Sequence, residues 1–197
     1  MKDLIFATKN KNKLKEIKEI LKGFNVLSME DVGVNIDVLE DGETFYDNAY
    51  KKAYEIMKIT NTLTLSDDSG LEIDYLGKEP GVYSSRYLGV DTDYIEKNRI
   101  ILEKMKDVPE EERTARFVCV ICAVFPDGLV LSAKGVIEGV IAYEQKGENG
   151  FGYDPIFFVK EHNMTTAEMP KELKNKISHR ALAIKEIKKI LFSWLEK

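Results

Sequence analysis

Ser66-Asp67-Asp68-Ser69-Gly70 sets carboxylates, hydroxyls and a glycine directly after the apolar run Leu63-Thr64-Leu65. Such a β-prone run reads as a buried strand, and Gly70 predicts a sharp turn at its end. Charge at the lip of a buried strand is where α/β proteins keep their ligand chemistry. Neighbouring strand residues point to opposite faces, so Asp67 and Asp68 do not form a proton-sharing dyad. One carboxylate serves a site and the other faces elsewhere.

Three further segments could join it. Thr8-Lys9-Asn10-Lys11-Asn12-Lys13 lies between a first strand and a first helix. A strand-to-helix turn aims free backbone N–H groups and the positive helix end at whatever sits above it, which suits phosphate. The GxxxxGK[ST] spacing of a Walker A loop is absent. Phe151-Gly152-Tyr153-Asp154-Pro155 closes a glycine-rich loop that begins at Gly147. Glycines permit close backbone approach to a ligand, and an aromatic face can stack on a nucleobase. Its G-x-x-G-x-G order is not the dinucleotide-binding fingerprint. Ser178-His179-Arg180 opens the last helix, with Ser178 a good N-cap. Arg180 beside the positive helix end is unfavourable unless something anionic or electron-rich is present.

The elements that must position these residues follow from periodicity. Strand Asp3–Ala7 leads into a helix over Asn12–Lys22, and a short strand follows near Val26. Beyond the acidic loop Glu40-Asp41-Gly42-Glu43, Thr44 and Asp47 form a capping box that opens a second helix with the stripe Phe45, Ala49, Ala53 and Ile56. Strands Leu63–Leu65 and Leu71–Tyr75 flank the acidic turn, and Asp91-Thr92 starts a third helix. A hairpin, Ala115–Phe125 and Leu129–Ile141, turns at Pro126-Asp127-Gly128; a strand Ile156–Val159 and a helix from Ser178 complete the chain. The expected fold is α/β: a long mixed β-sheet with helices on its faces.

At 197 residues, 44% of them apolar and 32% charged, the chain predicts a single globular domain, or one domain with two lobes. No apolar run is long enough for a membrane span. The apolar stretch Leu4-Ile5-Phe6 is too short for a signal peptide and reads as the first strand. A formal charge of −5 disfavours nonspecific nucleic-acid binding. Cys119 and Cys122 spell CxxC inside a strand pattern, where i and i+3 face opposite sides about 10 Å apart. They read as core thiols, consistent with a cytoplasmic location.

Thr8-x-Asn10-x-x-Lys13, Ser66-Asp67-Asp68-Ser69-Gly70-Leu71, Phe151-Gly152-Tyr153-Asp154-Pro155 and Ser178-His179-Arg180, in this order, resemble the inosine triphosphate pyrophosphatase family. Pro80-Gly81-Val82-Tyr83-Ser84 extends the likeness, while Lys9 stands where the family often has a small residue. The resemblance implies Mg²⁺-dependent hydrolysis of non-canonical purine triphosphates (ITP, dITP, XTP) to the monophosphate and pyrophosphate. It implies a homodimer of two-lobed subunits with a central cleft. It gives Thr8, Asn10, Lys13 and Lys52 to the triphosphate, Glu40 and Asp68 to Mg²⁺, and Asp68 to the attacking water. Ser69 would touch the substrate. Phe151 would stack on the base in a pocket shaped by Gly152, Tyr153, Asp154, Lys174, His179 and Arg180. Two rivals remain open: a pyrophosphatase for other nucleotides, and a nucleotide- or RNA-binding module without chemistry. Glu40 and Asp68 discriminate, since a module that only binds phosphate has no use for acids beside it unless a metal bridges them.

Overall fold

The computed structural model describes residues 2–195. In chain order its main elements are β1 (Lys2–Phe6), α1 (Lys11–Ile20), β2 (Phe24–Ser28), α2 (Phe45–Thr60), β3 (Thr64–Ile73) and α3 (Tyr94–Lys104). The hairpin β4 (Thr114–Val124) and β5 (Val130–Ile141) follows, then β6 (Phe157–Val159), β7 (Met164–Thr165), α4 (Lys171–Ile177) and α5 (His179–Leu195). The strands form one seven-stranded sheet in the order β2-β1-β3-β4-β5-β6-β7. β1 runs parallel to β2 and β3, whereas β6 runs antiparallel to β5 and β7, so the sheet is mixed as expected.

Local chemistry explains the boundaries. The Asn10 side-chain oxygen caps α1, accepting from the backbone N–H of Asn12 and Lys13 at 2.9 and 3.2 Å. Thr44 and Asp47 form the reciprocal capping box of α2: Thr44 Oγ1 accepts from Asp47 N at 3.1 Å and Asp47 Oδ2 from Thr44 N at 3.0 Å. α3 starts later than the expected Asp91-Thr92, because Asp93 supplies the cap, accepting from Glu96 N at 2.8 Å. The hairpin closes at the expected turn through Phe125 N to Leu129 O, 2.9 Å.

The predicted acidic turn does not exist. Ser66 to Gly70 lie inside the continuous ten-residue strand β3, so the two expected flanking strands are one. Ladder bonding carries the chain through, and Gly70 is simply buried strand. α4 is also additional to the expected elements; Ser178, in extended conformation, ends it and directly precedes α5.

The chain divides into two compact units. The first comprises residues 1–69, 119–135 and 179–197. On one sheet face Leu4, Phe6, Leu65, Cys119 and Ile121 meet Ile17 and Leu21 of the α1 segment and Ile184, Ile187 and Leu191 of α5. On the other, Ile5 and Ala7 pack with Ile56 of α2. The second unit comprises residues 70–118 and 136–178 and buries Leu71, Ile73, Ile101, Met105, Phe117, Ile137 and Phe157. Its buried Arg113 donates to main-chain carbonyls, including those of Ile141 and Ala142, both at 2.7 Å. Each fully buried Leu, Ile or Phe stabilises by about 1.5–3 kcal/mol. An exposed ion pair such as Lys9–Asp37 contributes only about 0–1 kcal/mol. The cores, not the surface charges, hold the site in place.

Candidate functional site

Strand parity gives the first unit its charged centre. In the first unit's part of β3, Leu65 and Asp67 look toward α1 and α5, and Asp68 toward α2. Asp67 accordingly meets Lys13 Nζ of α1 at 3.0 Å and Arg180 Nε of α5 at 3.4 Å, all on its Oδ2. Asp68 instead accepts from Asn48 Nδ2 of α2 at 3.0 Å, through Oδ2, and from the Ser69 backbone N–H at 2.9 Å through Oδ1. Opposite faces were expected. On its own face Asp67 is bound to Lys13, the lysine of the first turn.

The two acids are tuned apart. Burial pushes the Asp68 carboxyl up to about 6 against the pull of Lys52 and Lys13, and the charge of Glu40 adds to the rise. Burial would raise Asp67 as well, but Lys13, Arg180 and Lys52 overcome it and hold that carboxyl well below the usual carboxylate range. Asp68 can therefore take up a proton near neutrality, whereas Asp67 stays ionised.

Glu40 reaches the same neighbourhood from an irregular acidic loop. Its Oε1 accepts from Lys52 Nζ at 2.6 Å. Asn48 ties this loop to β3: its Oδ1 accepts from Gly42 N at 2.8 Å while its Nδ2 donates to Asp68. A Cβ at Gly42 would lie 2.6 Å from Asp47 Cβ and 2.8 Å from Asn48 Oδ1, so only glycine allows this approach. Lys52 is raised in pKa: burial opposes its charge, and Asp67, Glu40 and Asp68 more than offset that, so it remains an ammonium.

At the β1–α1 turn, half-buried Thr8 accepts from Asn10 N at 3.2 Å through Oγ1. Lys9 is not among the non-glycine residues with positive φ, so the turn accommodates a lysine without strain. On α5, His179 and Arg180 are buried, 7% and 3% exposed, although an N-terminal turn would ordinarily leave them in solvent. The Arg180 guanidinium is engaged by Glu16 at 2.5 Å, Asp67 at 3.4 Å and Ser69 Oγ at 3.1 Å. Those acids supply the anionic company that its helix-end position calls for.

The second unit holds the glycine-rich loop. Asp154 Oδ2 accepts from Lys174 Nζ at 2.6 Å and from Phe151 N at 2.7 Å, and its Oδ1 accepts from Thr166 Oγ1 at 2.7 Å. Lys174 Nζ also sits 5.4 Å from the Phe151 ring centroid. Gly150, at φ +77°, passes so close that a Cβ would lie 2.2 Å from Asp154 Oδ2. Tyr153 is buried, edge-on to Tyr94 at 5.2 Å, with its hydroxyl donating to Ser84 O at 2.7 Å. Asn98 Nδ2 donates to Gly152 O at 3.1 Å. Phe151 and Gly152 are half-buried.

The structure thus gathers Lys13, Glu40, Lys52, Asp68, Ser69 and Arg180 with their partners in the first unit, and Phe151, Gly152, Tyr153, Asp154 and Lys174 in the second. Sequence reasoning missed Asn48, Asp67 and Glu16 as partners of these groups. Asn48 was detectable as a polar residue on the apolar stripe of α2; the Arg180 pairs span far too much sequence to be read. Both cysteines are buried and free, as expected. Among the described residues no group of three or more His, Cys, Asp or Glu is arranged to hold a metal. Glu40 and Asp68 offer two carboxylates, and Mg²⁺ usually takes one or two plus phosphate oxygens and water.

The fold and these clusters define an α/β protein whose first unit concentrates buried acids with lysines and an arginine. The chain belongs to the Ham1 family, whose model matches residues 4–190. It is 47% identical over 196 residues to a dITP/XTP pyrophosphatase of Clostridium perfringens, covering 95% of this chain and 96% of the relative. A dITP/XTP pyrophosphatase of Bacillus subtilis is 46% identical over 193 residues, covering 97% and 98%. Among solved structures, the Staphylococcus aureus Ham1 protein matches at a TM-score of 0.90 with 38% identity, covering 100% of both chains.

Proposed function

We propose that the chain is a nucleoside-triphosphate pyrophosphatase that hydrolyses ITP, dITP and XTP to the monophosphate and pyrophosphate, with Mg²⁺ as cofactor, acting in the cytoplasm as a homodimer. The names of the relatives support the substrate class. The single observation that carries the chemistry is Asp68, a buried carboxylate pushed up to about 6 beside Lys52 and Glu40. A general base works best when its pKa lies near the working pH. Among the described residues no helix is long and apolar enough to cross a membrane.

In this reading Asp68 orients the attacking water and accepts its proton, and the Asn48 amide keeps that carboxylate aimed. Thr8, Asn10, Lys13 and Lys52 bind the triphosphate, their positive charge stabilising the departing pyrophosphate. Glu40 and Asp68 fit a divalent cation because their donors are all oxygen, and a cation would offset the burial that chiefly raises Asp68 together with the smaller repulsion from Glu40. When bound, Mg²⁺ would supply Lewis-acid neutralisation of phosphate charge. Ser69 contacts the substrate, Phe151 stacks on the base, and Gly152, Tyr153 and Asp154 shape its surroundings.

The base is selected by donors. Hypoxanthine and xanthine present a 6-keto acceptor where adenine presents an amino donor. Lys174, His179 and Arg180 are donors to such an oxygen. Arg180 is engaged by Glu16, Asp67 and Ser69, and Lys174 by Asp154. The test is product analysis of ITP, XTP and ATP turnover with and without Mg²⁺. Pyrophosphate from ITP and XTP, and little from ATP, is expected; IDP and orthophosphate would place attack at the γ-phosphorus and remove Asp68 from its role.

A further inference from the structure

Asp67 has no part in the reaction just described, yet it sits under the same centre. It is 1% exposed. Its Oδ2 takes Lys13 Nζ at 3.0 Å and Arg180 Nε at 3.4 Å, with Ser69 Oγ also at 3.4 Å and the Cys119 thiol at 3.9 Å. Its Oδ1 is buried and, among the described residues, has no hydrogen-bond partner. Burying an ionised carboxylate costs several kcal/mol unless pairing is complete, and a buried ion pair is weak evidence of stabilisation.

What the carboxylate does achieve is geometric. One oxygen anchors cations from the first turns of two different helices, α1 and α5. A lysine stem in water swings freely through its rotamers, and here Lys13 is pinned with its side chain 16% exposed. An ammonium has three N–H donors, and the bond to Asp67 uses one.

We propose that Asp67 is a positioning residue for phosphate recognition: it fixes Lys13, and braces Arg180 against the same oxygen, so that the remaining N–H donors of Lys13 are presented to the polyphosphate. This rests on the reading of Lys13 as a phosphate ligand. A pre-oriented lysine avoids the ordering entropy that a loose one would lose on binding. Misplacement of a binding group by about 1 Å can cost on the order of 10²-fold.

The test uses the full chain, with inorganic pyrophosphate as the calorimetric probe and ITP as the kinetic one. Asp67→Asn is expected to raise the pyrophosphate Kd and the ITP KM by about 10-fold to 100-fold, with a smaller change in kcat. In a double-mutant cycle, Asp67→Asn should add little in a Lys13→Met background, because the lysine it positions is gone. A role in folding alone would lower the thermal midpoint yet leave KM and Kd at wild-type values below it, and the two substitutions would multiply; either result overturns the proposal. Should Asp67→Asn fail to fold, Asp67→Glu keeps the charge and shifts the anchor by a methylene; a raised KM is then expected, and an unchanged one overturns the proposal. If wild type hydrolyses no ITP but Asp67→Asn still weakens pyrophosphate binding, the proposed reaction falls and the positioning role stands. Should ITP turn over with KM and Kd untouched by Asp67→Asn, the reaction stands and the positioning role falls.

Discussion

Replacing Asp68 by Asn should cripple the protein and stabilise it in the same stroke. Burial moves the carboxyl from 3.8 to about 6. Two pKa units correspond to about 3 kcal/mol. The sign follows from proton counting. Between about pH 4 and 6 the folded chain holds a proton on Asp68 that the unfolded chain has lost, so stability falls as pH rises through that window. Above it, ionised Asp68 is a standing burden of about 3 kcal/mol. Asn removes the charge but must leave one of the bonds from Asn48 and Ser69 mismatched, at a cost of about 1–2 kcal/mol. The net gain at pH 8 is therefore about 1–2 kcal/mol, a rise in Tm of roughly 2–8 °C for a chain of this size. By pH 4 the wild-type carboxyl is protonated too, and the advantage should vanish or reverse. Thermal unfolding in EDTA at pH 4 and pH 8 measures the crossing. In the same pair of proteins kcat for ITP should drop about 10²–10⁴-fold. Lower stability of Asp68→Asn at pH 8 would refute the burial argument.

His179→Ala should lower kcat/KM for ITP by about 10-fold or more while ATP turnover stays low and nearly unchanged, since only the 6-keto purine loses a donor; equal loss for both nucleotides would assign His179 to the phosphates or the fold. Lys174→Met leaves the buried Asp154 carboxylate without its cation, and denaturant titration should show a loss of about 3–5 kcal/mol, moderated by the Thr166 and Phe151 bonds that remain.

How much of this was legible depended on distance along the chain. The capping box of Thr44 and Asp47 spans three residues, so its chemistry is complete in the sequence. The β4–β5 hairpin was equally readable, because a Pro-Asp-Gly turn between apolar runs has few alternatives. β3 misled for a physical reason: two aspartates and a glycine have turn chemistry locally, and only partners brought by other elements make them tolerable in a buried strand. Lys13, Arg180 and Asn48 are those partners. α4 escaped because a seven-residue, lysine-rich helix after Pro170 offers only one apolar pair, Leu173 and Ile177, to read. The face of each aspartate could be read from parity; what waits on that face could not.

The placement of the two thiols has a practical corollary. Cys119 and Cys122 lie midway along β4, fully buried on opposite faces, one against Asp67 and the other against the Tyr46 carbonyl. Burial pushes Cys122 up to about 12 and moves Cys119 upward as well, so neither presents a thiolate to a reagent. Alkylation can then proceed only from molecules whose central strand has opened. The native cysteines form a built-in clock for global unfolding, and a third cysteine placed on an exposed helix face could carry a dye without either of them being removed.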